Sequence, residues 1–438
     1  MTVDAPAIEA PPPDATGSAA EPRQNTVTVS LLVLRWVFLV TVTVFAFRQT
    51  LLALAASTRA GSLNGYIWLM PAAAVVAAVG VARRERTELP IHDRQTDIIF
   101  GILGLSGALL LQAVLLQRYS LYFHLLRIDL VALWFFLAAS CVILFGLRPT
   151  VRFVGVWLLL TMSFPVGYQL AVIAFGGNRA SAGLASLAVA VVATAVSVGR
   201  TRNRAMVGAL AALVVGFVVL GLMATLTPNA PLLAFQLIPA FSAMTLAGVS
   251  LYFYARRGLR KRVLERKLEP LPARPTWPGT PLITATAVGI SLVNLPAGPA
   301  PPFEMDGMTF GRPLAAPAGW HQVEQKDFPW VRRVYGRDAD LIRQDFIADT
   351  GNPKWDKFGR PRYVVVDSTS TWRPFSLQVY PVTVLYDESA SRISAPKPVD
   401  LGHGITGNLV TVVDDRSFLT YNLLTWTWRN ENSAQRVM

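Results

Sequence analysis

The sequence predicts a mainly α membrane protein, a polytopic helical bundle of about nine transmembrane helices followed by a C-terminal extracytoplasmic α+β domain. Three observations carry this expectation. Hydrophobic residues make up 53% of the chain and charged residues only 15%, against about 25% charged in an average soluble domain. The apolar residues gather into runs of about 20 with almost no charge, long enough for a hydrocarbon core of roughly 30 Å. From residue 299 onward the texture changes to a Pro/Gly-rich linker and then to mixed polar and apolar sequence.

The apolar runs place helices at about 30–47, 65–82, 97–117, 128–147, 151–175, 181–198, 205–226, 232–255 and 279–298. In hydrocarbon every backbone polar group needs a partner within the protein, so runs of this length must be helical. Residues 1–29, rich in Ala, Pro and acid, lack the basic start and short apolar core of a cleaved signal peptide and read as a disordered cytoplasmic tail. Residues 30–255 form the eight-helix membrane domain, 256–278 a basic cytoplasmic loop, 279–298 the ninth helix and 299–438 the outer domain.

Charge sets the orientation. With the N-terminus inside, the even-numbered loops hold seventeen basic residues and the odd-numbered loops five. Positive loops stay cytoplasmic, which puts the C-terminal domain outside. The net charge of +13 resides wholly in residues 1–299, while 300–438 sum to zero. The high pI of about 10.2 is therefore a topology signal and implies no nucleic acid partner. Arg256, Arg257, Arg260, Lys261 and Arg262 of the last cytoplasmic loop are candidate contacts for anionic lipid heads, at about 1 kcal/mol per basic residue. Fixing the topology is their simpler role.

In the outer domain, 362–370, 375–388, 408–415 and 417–430 are β-branched and aromatic and predict strands. "GRDADLIRQDFIADTG" (336–351) predicts a helix stopped by Gly351. The six tryptophans, Trp320, Trp330, Trp355, Trp372, Trp426 and Trp428, suit a ligand groove or the bilayer surface, with core packing the simpler role for at least half of them. His403, between glycines in "LGHGITG", reads as a turn residue.

Ionisable groups at the membrane are functional suspects because burying them is costly. In "YSLYFHLLRIDL" (119–130), His124, Arg127 and Asp129 fall at the outer end of the fourth helix. With Arg179 of "GGNRAS", they form a candidate outward-facing site for a phosphate or carboxylate. Arg127 and Asp129, two apart, do not share a helix face. Pro165 in "TMSFPVGYQL" bends the fifth helix beside Tyr168 and Gln169, which can mark a cavity or a plain packing kink. The single cysteine, Cys141, sits among Ala, Val, Ile, Leu and Phe and reads as a buried, inert thiol. It excludes an intrachain disulfide framework and a cysteine-built zinc site. Nucleotide-binding glycine patterns, H-E-x-x-H and G-x-S-x-G are absent, so no cofactor or metal is implied.

Residues 64 to about 170 resemble the front half of the exosortase/archaeosortase membrane transpeptidases. The resemblance rests on "NGYIWLMPAAAVVAAVGVARR", "LPIHDRQTDIIFGILGLSGALLL" and "RIDLVALWFFLAASCVILFGLRPTVRFVGVWLLLTMSFPVGYQ". It covers about a quarter of the chain, and its motifs are soft. Residues 375–430 are faintly similar to the extracytoplasmic partner domain sometimes fused to exosortases. The family's thiolate chemistry needs a cysteine after the Pro element, with arginine and histidine on later helices. Here no cysteine follows 141 and no histidine lies between 124 and 321, so that transpeptidation has no nucleophile. The resemblance implies an inner-membrane envelope protein in a bacterium, with lost or replaced chemistry, that binds an envelope protein through 299–438 or a lipid-linked substrate. The alternatives are an outer-leaflet lipid or glycan transferase using the His124/Arg127/Asp129/Arg179 site, or a transporter subunit.

Overall fold

Apolar runs too long to leave their amides unpaired dictate helices through the first two thirds of the chain. The computed structural model describes residues 21–84, 94–256, 279–296, 302–305, 313–380, 382, 386, 391–430 and 432–438. The helices are α1 (Glu21–Ala46), α2 (Arg48–Arg59), α3 (Leu69–Ala82, entered through a 3₁₀ turn at Leu63–Trp68), α4 (Arg94–Leu110, continued through a π turn to Arg118), α5 (Ile128–Phe145), α6 (Val154–Thr161), α7 (Pro165–Ala174), α8 (Arg179–Val198), α9 (Arg202–Leu226), α10 (Leu232–Arg256) and α11 (Thr280–Ser291).

Among the described residues, six helices are long and apolar enough to cross a membrane, or up to eight if each of two bent pairs is one span. The expected nine is not reached among them. The fifth run breaks into α6 and α7 with a 62° bend, because Pro165 cannot continue the hydrogen-bond ladder and starts a new helix instead. The first run continues past its expected end. Phe47 leaves the helical region at φ −106°, ψ 23°, and α2 departs at 69°, so the expected first outer loop is largely helix. At its other end α1 begins at Glu21, inside the expected tail; residues 1–20 lie outside the described ones. The expected ninth helix is only twelve residues, about 18 Å long. Its flanks lie alongside α4 and α5: Gly279 lies against Ile143, which also abuts Gly101, and the Asn294 carbonyl accepts from Gln117 Nε2 at 2.8 Å.

Two apolar cores hold the bundle. One joins α1, α4, α5 and α11 through Leu39, Phe47, Leu105, Phe136, Leu144 and Ile283. The other joins α3 and α6 to α10 through Met70, Leu159, Val172, Leu187, Ala212 and Met244. Close approach depends on small residues: a Cβ on Gly80 of α3 would lie 2.2 Å from the Ser197 carbonyl oxygen of α8. The outward faces stay apolar, as with Val207, Leu210, Val214, Phe217 and Val218 on α9, which suits lipid rather than water.

The C-terminal domain is a nine-stranded sheet in the order β2-β3-β4-β9-β8-β7-β5, with β1 on β8 and β6 on β7. The strands are β1 (Phe303–Glu304), β2 (Trp320–Asp327), β3 (Asp340–Ala348), β4 (Tyr363–Thr371), β5 (Ser391–Ile393), β6 (Lys397–Asp400), β7 (Thr406–Asp414), β8 (Leu419–Arg429) and β9 (Ala434–Val437). All pairings are antiparallel except β1–β8. The helix expected over 336–351 is strand β3. Pairing to β2 and β4 on both sides, with Gln344 and Phe346 buried on one face, overrides its helical spacing. The strand expected at 375–388 begins as a helical turn, Ser376–Val379; most of 381–390 lies outside the described residues. None of the six tryptophans is buried, so the core-packing expectation fails. The small core uses Val331, Tyr335, Ala339, Leu341, Leu377 and Ala434.

The domain sits on one end of the bundle. Phe375 and Val379 join the second bundle core, and Phe375 N donates to Gly177 O at 3.4 Å. The described arginine-rich loop segments lie at the opposite end. There Arg152 donates to Arg84 O at 2.7 Å and Arg84 donates to Val196 O.

Candidate functional site

A cleft of about 500 Å³ opens between the bundle and the C-terminal domain. From the bundle it takes Thr58 to Ser62 at the end of α2, Arg179, Asn229 and Pro231 to Leu233, with Gln236 of α10. The domain supplies Pro302, Glu304, Pro374, Phe375, Arg429 and Asn430.

Strand pairing builds the roof. Glu304 of β1 is the register partner of Arg429 at the end of β8, and Arg429 Nη2 donates to Glu304 Oε1 at 3.0 Å. The same guanidinium reaches the bundle, donating from Nη1 to Gly61 O at 3.1 Å and from Nη2 to Ala60 O at 3.5 Å. Gly61, at φ +68°, makes room for it, since a Cβ there would lie 2.3 Å from Nη2. Burial lowers the Arg429 pKa below the usual range; Glu304 pulls it back up, and the Arg179 charge pushes it down again.

Helix geometry builds the wall. Asn178 caps α8 by accepting from Ser181 N at 2.9 Å in a capping box, which makes Arg179 the first residue of that helix. Its Nη1 donates to Ala230 O at 3.4 Å. Arg59 closes α2 and is exposed. The floor is Gln236, fully buried, whose Nε2 donates to Leu63 O at 2.8 Å and to the Tyr168 hydroxyl at 2.9 Å. Its Oε1 has no hydrogen-bond partner. Gln236 thus connects the cleft to a buried polar column. Tyr168 donates to Ala182 O at 2.8 Å and stacks on Tyr66 with ring centroids 3.6 Å apart.

Of the six expected site residues, only Arg179 lines the cleft. Tyr168 lies below it in the polar column, and Gln169 is buried on α7 with an unpartnered Oε1. Arg127 and Asp129 do meet, against the helix-face argument. Arg127 precedes α5 in the left-handed conformation at φ 43°, so it stands outside the helix to which the spacing rule applies. Nε and Nη2 grip the two Asp129 oxygens at 3.0 and 2.8 Å, both residues being fully or almost fully buried. His124, in the short helix Phe123–Leu126, is held down at about pKa 4 by burial and by the Arg436 charge of β9. The lipid-head candidates Arg257, Arg260, Lys261 and Arg262 lie outside the described residues, as does the side chain of Arg256. Cys141 is buried in the first bundle core.

Sequence reasoning missed Arg59, Arg429, Glu304 and Gln236. Gln236 carried a signal, a glutamine in an otherwise apolar run. Arg429 and Glu304 carried none, because only the fold sets them beside residues 60 and 61. No protein family, curated protein or solved structure matches the chain.

Proposed function

We propose that the chain is a multi-pass inner-membrane protein of bacteria, exosortase-like but without the transpeptidase nucleophile, that acts in envelope assembly, sorting or export by binding a protein or lipid-linked partner. The observation that carries this reading is the cleft, whose walls come from both the bundle and the sheet domain. A domain anchored by Arg429 to the loop at 60–61 positions a recognition surface at the membrane border. The N-terminus and the arginine-rich loops face the cytoplasm on this reading, and the sheet domain stands outside. A binding role also fits Cys141, which packs among apolar side chains far in sequence from any histidine after 124. Exchange of Cys141 for Ala should leave function intact.

The transferase reading, with a phosphate on His124, Arg127 and Asp129, draws less support. Asp129 already takes both donors that the Arg127 fork presents to it.

A photoreactive residue at Ser62 tests the proposal in native membranes. A single protein or lipid-linked adduct should form there and vanish in Arg429→Ala. An adduct no stronger than that from Leu210, on the outward face of α9, would sink it.

A further inference from the structure

We infer that two arms of the sheet domain bind the surface of the bilayer that the bundle spans, with the rings of Trp355, Phe358 and Phe418 entering an anionic headgroup layer. The arms are separate from the cleft, and their role holds whatever the cleft binds.

Topology makes the arms. The short strand β9 lies between β4 and β8: Thr371 and Arg429 are both level with Ala434, and Ser368 and Trp426 are both level with Val437. The Ala434 level is the docked one, where Arg429 donates to Gly61 O and Phe375 N to Gly177 O. Away from it, β4 runs on from Ser368 to Tyr363 and β8 from Trp426 to Leu419, roughly 16 and 23 Å. The β3–β4 and β7–β8 hairpins therefore leave a common base side by side. Their turns lie at the opposite ends of these strands from the docking contacts.

Both turns share one uncommon device. Phe358 and Phe418 sit in left-handed backbone at φ 57° and 55°, a region that residues with a Cβ avoid. They are 84% and 92% exposed. Neither turn is loose. In the first, Asp356 accepts from Asn352 N at 2.6 Å and from Arg362 Nε, and a Cβ on Gly351 would overlap the Gly359 carbonyl. In the second, Asp414 accepts from Arg416 N at 2.9 Å. Strained backbone that holds an aromatic ring out in water points to a surface that receives the ring.

The occupant follows from what the turns share and what they do not. Their sequences, "PKWDKFGRPR" (353–362) and "DDRSFL" (414–419), have little in common beyond the outward ring. A protein partner would need a matched pocket for each of two separate arms. A bilayer interface needs none, because it is soft and takes aromatic rings at headgroup level wherever they arrive. Cations complete the first turn. The Lys354 and Lys357 ammoniums lie 5.2 and 5.5 Å from the ring centroids of Trp355 and Phe358, and Arg360 is exposed beside them. Rings interleaved with ammoniums suit anionic lipid, where each basic side chain adds to the attraction. The bundle tethers the domain at the membrane border, which gives the bilayer a high effective concentration. Strands that lean along the membrane bring both turns to lipid beside the bundle, and the experiment below tests that lean.

The full chain is placed in lipid nanodiscs in a Cys141→Ala background, so that one introduced cysteine carries an environment-sensitive fluorophore. The positions are Phe358→Cys, Phe418→Cys and, as the control, Glu324→Cys on the exposed strand β2. Phosphatidylcholine discs with and without added phosphatidylglycerol are compared, with thermal unfolding as the check on folding. In the discs with phosphatidylglycerol, the labels at 358 and 418 should shift to the blue. Lipid spin-labelled near its headgroup should quench them roughly two-fold more than the label at 324. Lys354→Gln combined with Lys357→Gln should remove the part of the quenching at 358 that depends on phosphatidylglycerol. Labels at 358 and 418 as open to aqueous acrylamide as the one at 324 would overturn the inference. Shielding from acrylamide without quenching by the lipid would also overturn it, and would put a protein or a second copy of the chain on the arms. Equal quenching with and without phosphatidylglycerol would overturn the anionic headgroup.

Discussion

The two ends of the bundle use the same residue in opposite ways. At the end away from the sheet domain, arginines terminate structure. Arg35 donates to Leu144 O at 3.2 Å, Arg84 to Val196 O and Arg152 to Arg84 O, all carbonyls at or near the ends of helices. Cations belong there, because the carbonyl end of a helix is its negative pole. Asp97 completes that end by accepting from Leu147 N at 2.7 Å. Under the sheet domain, Arg179 instead begins a helix and Arg429 bridges two parts of the chain. Arginines at the first end meet helix-terminal carbonyls, whereas at the second they line the cleft between the bundle and the sheet domain.

Four measurements can break or sharpen this contrast. The largest effect should come from Asp129→Asn, which leaves Arg127 buried without its carboxylate; about 3–5 kcal/mol of stability should go, read as a lower Tm in detergent. The double variant Arg127→Met/Asp129→Leu should recover most of it, and failure to recover would mean that the pair does more than satisfy itself. Arg429→Ala removes the bridge between roof and bundle, worth roughly 1.5–3 kcal/mol per hydrogen bond to a charged group. It should open residues 59–62 to hydrogen exchange without unfolding α8; unchanged exchange there would show that the domain is held by other contacts.

The third measurement is pH. His124 is held neutral at about pKa 4, below its unfolded value of about 6.5. The unfolded chain therefore binds the extra proton between these limits. Stability contributed by the neutral histidine should be full above about pH 6.5 and fall as pH drops toward 4. His124→Gln should flatten that part of the curve, and an unchanged slope would assign it to other groups. The smallest effect belongs to the far end. Arg84→Ala should cost about 1 kcal/mol and leave the adduct formed at Ser62 untouched.

How much of this was legible in the sequence varies with range. The long helices were, because an apolar run needs no knowledge of its neighbours. The bend at Pro165 was too, since proline acts locally, but the bend at Phe47 has no such marker. Strand β3 was misread because Leu341, Ile342, Phe346 and Ile347 suit a helical stripe as well as a strand, and only β2 and β4 on either side decide. The site was legible in one residue, Arg179. Arg127 and Asp129 were picked out, yet their embrace depended on a left-handed φ at a non-glycine residue, which spacing rules do not foresee. Arg429 and Glu304 reach the cleft only through the β1–β8 pairing and the docking of the whole domain.

The β3–β4 hairpin has a reach of its own. Its near end is tied to the domain's own core through Thr371, which donates to Tyr335 O at 2.9 Å, and meets the bundle where Arg373 lies against Gly177. Nine residues of β3 carry the chain about 30 Å along the strand from that tether. At the far end, Trp355 and Phe358 are 67% and 84% exposed, with Lys354 and Lys357 stacked on their rings. The hairpin acts as a boom, and what its aromatic tip meets is a separate question from what the cleft holds.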